Sequence, residues 1–340
     1  MISIRNDWKQ THAVLLAATC IFIGLTAGCM HSKDKQSAEE PDVGEQWAGQ
    51  AADICGKTAW QLAKACKSVA QDDTEVEVAN CLNLSNPQAS TVCLRAAEEA
   101  RIEALDACDE VQKARVLACG KLGMGAYDPV INPANFVTGI TSRYTPFPVG
   151  AYRVYESNTP EGLERITITA LPDTRVIMGV TVTTLHDLVT LRAPGSTTDV
   201  VIEDTLDWIA QDKDGNVWYF GEISQKYENG KLASLDGSFE AGIDGAKPGY
   251  WSKGNPQIGD FFRQEWSLGN AEDVVEVLSL DARDAIVPFS GTSKVLKTED
   301  TTPMSPGVIE YKYYVPGIGF TLEIKPATGE RLELVEYGPR

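Results

Sequence analysis

The chain reads as an α+β protein: an antiparallel helical hairpin stapled by disulfides, then an all-β antiparallel domain folded as an open barrel or curved sheet. Three observations predict this. Six cysteines fall between residues 55 and 119 at spacings of 11, 15, 12, 15 and 11, a series that is the same in both directions. Apolar residues around them recur at alternating intervals of four and three, the period of a helical seam. From Tyr152 onward the period becomes two, that of a strand with one buried face.

At 340 residues and 43% hydrophobic residues, the chain can bury at least one full core, and its length predicts two modules. Its formal charge of −18 repels phosphate backbones, which argues against nucleic acid as a partner. Residues 1–28 read as a signal peptide. Arg5 and Lys9 precede an apolar run from Ala13 to Gly28, 16 residues long and short for a membrane span. The stretch Leu25-Thr26-Ala27-Gly28-Cys29 resembles the lipobox of bacterial lipoproteins, although Thr26 stands where that family most often has leucine. The resemblance implies acylation of Cys29 and a membrane held through its lipid. Met30, in place of the aspartate that retains such proteins at the inner membrane, implies the outer membrane, facing either the periplasm or the cell surface. Residues 29–45 are polar without an apolar period and read as a flexible tether.

The hairpin is expected over residues 46–122. Ala48, Ala52, Cys55, Ala59, Leu62, Cys66 and Val69 form one seam; Cys93, Ala97, Ala100, Ala104, Ala107, Val111, Ala114 and Ala118 form the second, with Gly120 and Gly123 at its end. Between the two seams, Asp72 to Thr74 and Asn83 to Pro87 carry turn-forming residues, so an interruption of the first arm is expected. Six cysteines allow fifteen pairings, and spacing alone selects none. Symmetry about Pro87 together with the helical period favours the nested set Cys55–Cys119, Cys66–Cys108 and Cys81–Cys93. Eleven residues rise about 16 Å, three turns, so cysteines at that spacing share a face, and an alanine seam lets the arms approach closely enough for disulfides. No Cys-x-x-Cys pair is present to favour zinc, redox or haem chemistry. The twin spacing resembles cysteine-stapled helical hairpins, whose common motif has nine intervening residues where this chain has ten; that likeness implies architecture only.

Gly, Pro, Asn and Thr dominate residues 123–146, which read as a linker into a β-domain at 147–340. Alternating runs such as Ile166-Thr-Ile-Thr and Val180-Thr-Val-Thr are separated by Asp214-Gly215, Asn229-Gly230, Asp236-Gly237 and Asp244-Gly245, hairpin signals that predict an up-and-down sheet. Phe147-Pro-Val-Gly-Ala-Tyr-Arg-Val-Tyr155 and Tyr314-Val-Pro-Gly-Ile-Gly-Phe320 resemble the opening and closing motifs of secreted bacterial β-domain proteins without assigned function. More remotely they resemble the half-open barrels of periplasmic lipoprotein carriers. No catalytic residue transfers with either likeness.

The inventory for chemistry is thin. His186 is the one histidine outside the signal and tether, and it stands in a strand; a free thiol is lost if all six cysteines pair. Glu203, Asp204 and Asp207 are the candidates for a glycosidase-like acid–base pair in an envelope hydrolase, with Glu203 and Asp207 sharing one sheet face. Asp212-Lys-Asp-Gly-Asn216 alternates oxygen ligands but lacks an EF-hand's distal glutamate, and reads as a hairpin turn. Trp208, Trp218, Tyr250, Trp251 and Trp266 are the candidate ligand-binding aromatics, for an acyl chain or a glycan. The expectation is a lipid-anchored, non-enzymatic protein, needing no cofactor or metal, whose β-domain binds a ligand or an envelope protein.

Overall fold

A computed structural model describes residues 53–339. The signal segment, Cys29 and the tether lie outside the described residues. Two helices come first: α1, Ile54–Leu82, and α2, Pro87–Leu122. Asp53 caps α1 by accepting from the Gly56 N–H at 2.6 Å, and Asn86 caps α2 by accepting from the Ala89 N–H at 3.0 Å. Pro87 at the first position of α2 loses no helical bond there. Gly123, at φ 93°, ends α2.

The arms are joined by Cys55–Cys119, Cys66–Cys108 and Cys81–Cys93, with Cα separations of 5.7, 5.8 and 5.4 Å. Buried Ala59, Ala63, Ala70, Ala97 and Ala118 allow that approach. The expected interruption at Asp72 to Thr74 is absent: α1 runs straight through. Thr74 Oγ1 bonds back to the Ala70 carbonyl at 2.7 Å and Gln71 reaches Glu75 one turn on, also at 2.7 Å. Poor helix formers cost a few tenths of a kcal/mol each, roughly, and the staples at Cys66 and Cys81 on either side outweigh them.

The β-domain begins earlier than residue 147. Within the expected linker, Tyr127 Oη donates to the Pro248 carbonyl at 2.8 Å, and β1 (Phe136–Val137), β2 (Ile140–Ser142) and β3 (Thr145–Phe147) are already formed. The segment is a docked lead-in, because Tyr127 and Phe136 bury their rings against Trp266 and Trp218.

Two antiparallel meanders make the body of the domain. The first is β4 (Ala151–Thr159), β5 (Gly162–Ile177), β6 (Val180–Arg192), β7 (Val200–Asp212) and β8 (Val217–Glu228). Three short strands, β9 (Lys231–Ser234), β10 (Phe239–Glu240) and β11 (Lys247–Ser252), pair onto β8, while β1 pairs onto β7. After β12 (Phe261–Arg263) and β13 (Glu265–Trp266) comes the second meander, β14 (Val274–Ser279), β15 (Leu296–Thr301), β16 (Ile309–Val315), β17 (Gly319–Lys325) and β18 (Glu330–Pro339).

β18 pairs with β4, joining the last strand to the first meander. On the far side β13 pairs with β11 and β12 with β14, so only Gln264 separates the two ends of the sheet and the barrel is nearly closed. Gly249 permits this closure, since a Cβ there would stand 2.1 Å from the Gln264 carbonyl oxygen. The turn signals sit where the alternation places them: Asn229 and Gly230 at φ 51° and 72° turn β8 into β9, and Asp244 and Gly245 at φ 49° and 80° turn β10 into β11.

The hairpin seats on the barrel by its base. Arg115 of α2 makes two 2.8 Å hydrogen bonds to Glu272 with both side chains buried, and Lys121 pairs with Glu276 nearby. The Ile54 and Cys55 N–H groups donate to the Met124 carbonyl at 2.9 and 3.1 Å, tying the start of α1 to the exit of α2. Among the described residues no helix is long and apolar enough to cross a membrane.

Candidate functional site

The strands alternate, and alternation decides which side chains face into the barrel. Opposite neighbours Leu185 and Asp207, Asp207 and Glu222, and Asp187 and Thr205 share the inner face with Ile166, Ile168 and Ile209. The inner wall is therefore part apolar and part carboxylate. Burying an ionised carboxylate is expensive unless it is paired, so the pairing of each decides what the wall can do.

One group is compensated from within. Lys312, nearly without exposure, places Nζ 3.1 Å from Asp300, 3.2 Å from Glu310 and 3.9 Å from Glu323. Burial alone would push its ammonium down, but Asp300, Glu310 and Glu323 outweigh burial and hold it well above the ordinary lysine range. Thr298 Oγ1 donates to Asp300 at 2.6 Å. Asp273, beside this group, is pushed up to about 7 by burial, with the Lys312 charge opposing and Glu310 and Asp300 adding.

The second group is built around Tyr219. Its hydroxyl stands 2.6 Å from Asp207 Oδ1 and 2.8 Å from Glu222 Oε2. A phenol has one proton to donate, so the second contact requires a proton on a carboxyl. Glu222 supplies it: burial, then the Asp207 charge, push Glu222 well above the ordinary carboxylate range. Glu265 is raised in the same way by burial, with Asp273, Glu222 and Asp207 adding, and its Oε1 has no hydrogen-bond partner among the described residues. Asp187 is pushed up to about 7 by burial, with Asp207 and Glu203 adding. Tyr219 itself packs edge-on against Trp251 at 4.9 Å and Phe239 at 5.6 Å, an aromatic wall beside the carboxyls.

The residues expected from sequence scatter. Asp207 lies at the centre of the second group and Glu203 on the same face, where it accepts from Thr205 Oγ1 at 3.1 Å. Asp204 points the other way and meets His186 Nε2 at 2.9 Å, with both side chains about a third exposed. Asp212 holds its turn together: it accepts from the Asp214 and Asn216 N–H groups, from Asn216 Nδ2 and from Trp218 Nε1, all within 3.0 Å. Of the aromatics, Trp251 faces the interior; Trp208 and Trp218 lie in a separate cluster with Tyr250 against it, and Trp266 stacks under Arg263 at the hairpin base, 4.0 Å away. The five do not share one cleft.

Sequence reading missed Tyr219, Glu222, Glu265, Asp273, Asp300, Glu310, Lys312 and Glu323. Their alternation with apolar residues is that of an ordinary wet face, so no periodic signal separates them from exposed charges. Among the described residues, no three His, Cys, Asp or Glu side chains converge closely enough to hold a metal ion. No family model, no curated protein and no solved structure matches the chain.

Proposed function

We propose that this protein is an outer-membrane-anchored lipoprotein whose barrel binds a ligand without transforming it, the stapled hairpin fixing the barrel relative to the anchor. The observation that carries binding is Glu265. A fully buried carboxyl with an unmatched oxygen destabilises the fold, and its retention is accounted for by an occupant that completes it. The anchor rests on the lipobox-like Leu25 to Cys29, and the positioning role on the base of the hairpin, where Cys55–Cys119 joins the two arms and Arg115–Glu272 joins hairpin and barrel. Trp251, beside Tyr219, supplies the readout. Titration of the disulfide-intact protein with panels of lipids, glycans and small charged molecules is expected to change its tryptophan emission, and recovery of each bound molecule unchanged by mass spectrometry supports binding over turnover.

A second reading, an envelope hydrolase, is favoured by Glu222 and Asp207 meeting at one phenol, because two carboxyls side by side, both raised by burial, are the elements of acid–base catalysis. Turnover of a glycoside that disappears in Glu222→Gln supports it and rejects the binding-only reading.

A further inference from the structure

The stapled hairpin has two broad faces, and they differ. Lys67 of α1 and Asp109 of α2 pair at 2.7 Å across one of them. The helical period carries a row of side chains along each arm on the other. On α1 the row is Leu62, Ala65, Val69, Asp72 and Val76, at intervals of three and four. On α2 it runs from Val92 to Leu117 through Ala96, Ala100, Ala107 and Ala114. None of these residues is buried. Val69, which the sequence period assigns to the seam between the arms, is instead 60% exposed; Val76 is 61%, Val92 65% and Leu117 73% exposed. Single exposed apolar side chains are ordinary, but two parallel rows on one face leave apolar area that the folding of this chain does not bury.

Shape and charge together select what covers it. The alanines keep the floor between the rows shallow, so a third helix can settle along both arms at close approach. Cys55–Cys119, Cys66–Cys108 and Cys81–Cys93 fix the spacing of the arms, so the face is presented ready-formed and little ordering is left to the moment of binding. The charges in the rows have one sign. Asp72 stands in the α1 row, Glu103 and Glu110 complete the α2 row, and neither row contains a lysine or arginine. Lys121, just beyond the α2 row, is engaged with Glu276, and Glu110 pairs only along its own helix with exposed Lys113. A second copy of the chain would set these carboxylates against themselves, and an anionic lipid surface would be repelled by them. A helix carrying apolar residues along one stripe and lysine or arginine beside it satisfies both features.

We propose that this face of the hairpin is a docking surface for a basic amphipathic helix of another protein, with Val69, Val76, Val92 and Leu117 taking its apolar stripe and Asp72 and Glu103 its cations. The inference goes beyond the ligand-binding reading of the barrel and does not depend on it. The hairpin then has two roles: its base seats on the barrel through Arg115 and Glu272, and its free length recruits.

Fluorescence anisotropy tests it, with a labelled helical peptide of three heptads reading Leu-Ala-Ala-Leu-Lys-Ala-Lys titrated by the disulfide-intact protein. The peptide is expected to bind, and its counterpart with glutamate in place of lysine to bind at least about tenfold more weakly. Val69→Ser and Leu117→Ser are each expected to weaken the lysine peptide by about tenfold. Both positions are exposed, so thermal unfolding of these variants should match that of the unaltered protein. Asp72→Asn combined with Glu103→Gln should weaken the peptide and flatten its salt dependence. Ile102→Ser, which removes an exposed apolar side chain outside the rows, should leave the affinity unchanged. Failure of the lysine peptide to bind, equal binding of the glutamate peptide, or equal weakening by Ile102→Ser overturns the proposal. Two further results would assign the face to another occupant and overturn it as well. One is a dimer in sedimentation equilibrium that Val69→Ser dissociates, which would place a second copy there. The other is binding of the Cys29→Ser protein to phosphatidylglycerol vesicles that Leu117→Ser abolishes, which would place lipid there.

Discussion

Arg115 and Glu272 meet side by side in the interface between hairpin and barrel, 157 residues apart in the chain, through two 2.8 Å hydrogen bonds. Both are buried, unlike Lys121 and Glu276 beside them, which are partly exposed and contribute at most about 1 kcal/mol. A desolvated pair is costly to halve. Arg115→Met is expected to destabilise the protein by about 3–5 kcal/mol in denaturant unfolding, because Glu272 is left as an uncompensated buried charge. Arg115→Met with Glu272→Leu is expected to recover most of that loss. The remainder, about 1 kcal/mol, is the Gly269 N–H that Glu272 Oε1 also accepts at 2.7 Å. A double variant no more stable than Arg115→Met would contradict this account.

The disulfides stabilise a hairpin whose helices share little apolar surface, since the buried seam is mostly alanine. Cys55–Cys119, Cys66–Cys108 and Cys81–Cys93 span 64, 42 and 12 residues, but they are nested, so each additional staple closes only the chain left open by its neighbours. Replacing Cys66 and Cys108 with alanine is therefore expected to cost roughly 2 kcal/mol, the low end for a disulfide. Full reduction is expected to remove most of the helical circular dichroism while leaving the barrel's signal, because strand pairing does not depend on any of the six cysteines. Helicity that survives reduction would mean that the alanine seam holds the arms without staples.

Much of the architecture was legible because it obeys strong local rules. The cysteine symmetry and the alanine seam place both helices, and Asp214-Gly215 and Asn229-Gly230 place the hairpins β7–β8 and β8–β9. Barrel closure was not legible, since it rests on the pairing of β18 with β4 and on the approach of Gly249 to Gln264, contacts between residues far apart in sequence. The acidic interior was hidden for a different reason. Glu310, Lys312 and Glu323 alternate with Tyr311, Tyr313, Leu322 and Ile324, and alternation identifies two faces without saying which is wet. Here the charged face of β16 and β17 turns inward, because Tyr313 and Leu322 pack outward under Ala282, Val287 and Val295 of the loop before β15. The interruption expected in α1 failed because propensity at Asp72 to Thr74 is weak against flanking covalent links.

Acylation at Cys29 is expected from Ala27-Gly28-Cys29 after the apolar run. Protein recovered from its own envelope should carry a mature N-terminus at Cys29 with the added mass of acyl chains, and Cys29→Ser should move it from the membrane to the soluble fraction. Membrane association rises by about 0.8 kcal/mol for each acyl CH₂ buried, so its loss should be nearly complete. An unmodified N-terminus at another residue would remove the anchor from the proposed function.

The buried carboxyls make stability fall with rising pH, the reverse of a protein held by surface ion pairs. Asp187 and Asp273 are pushed up to about 7 in the folded chain, chiefly by burial, whereas in the unfolded chain they titrate as ordinary aspartates near 3.9. The folded state thus binds more protons across that window, and stability declines as pH rises from about 4 through 7, then levels off. Two further groups act at its edges. Asp284, held below the ordinary range by its bond from Lys297 despite some burial, contributes stability that is lost as pH falls below about 4. Lys312, raised by its carboxylates, contributes stability lost only in strong alkali. Maximum stability is therefore expected near pH 4–5, with a loss on the order of a few kcal/mol by pH 8. Asp187→Asn should raise the unfolding midpoint at pH 8 and change it little at pH 4.5, since the wild-type carboxyl is then already protonated. A midpoint that climbs between pH 5 and 8, or an Asp187→Asn variant with the same slope as the wild type, would show that these carboxyls are not held in an acidic, buried wall.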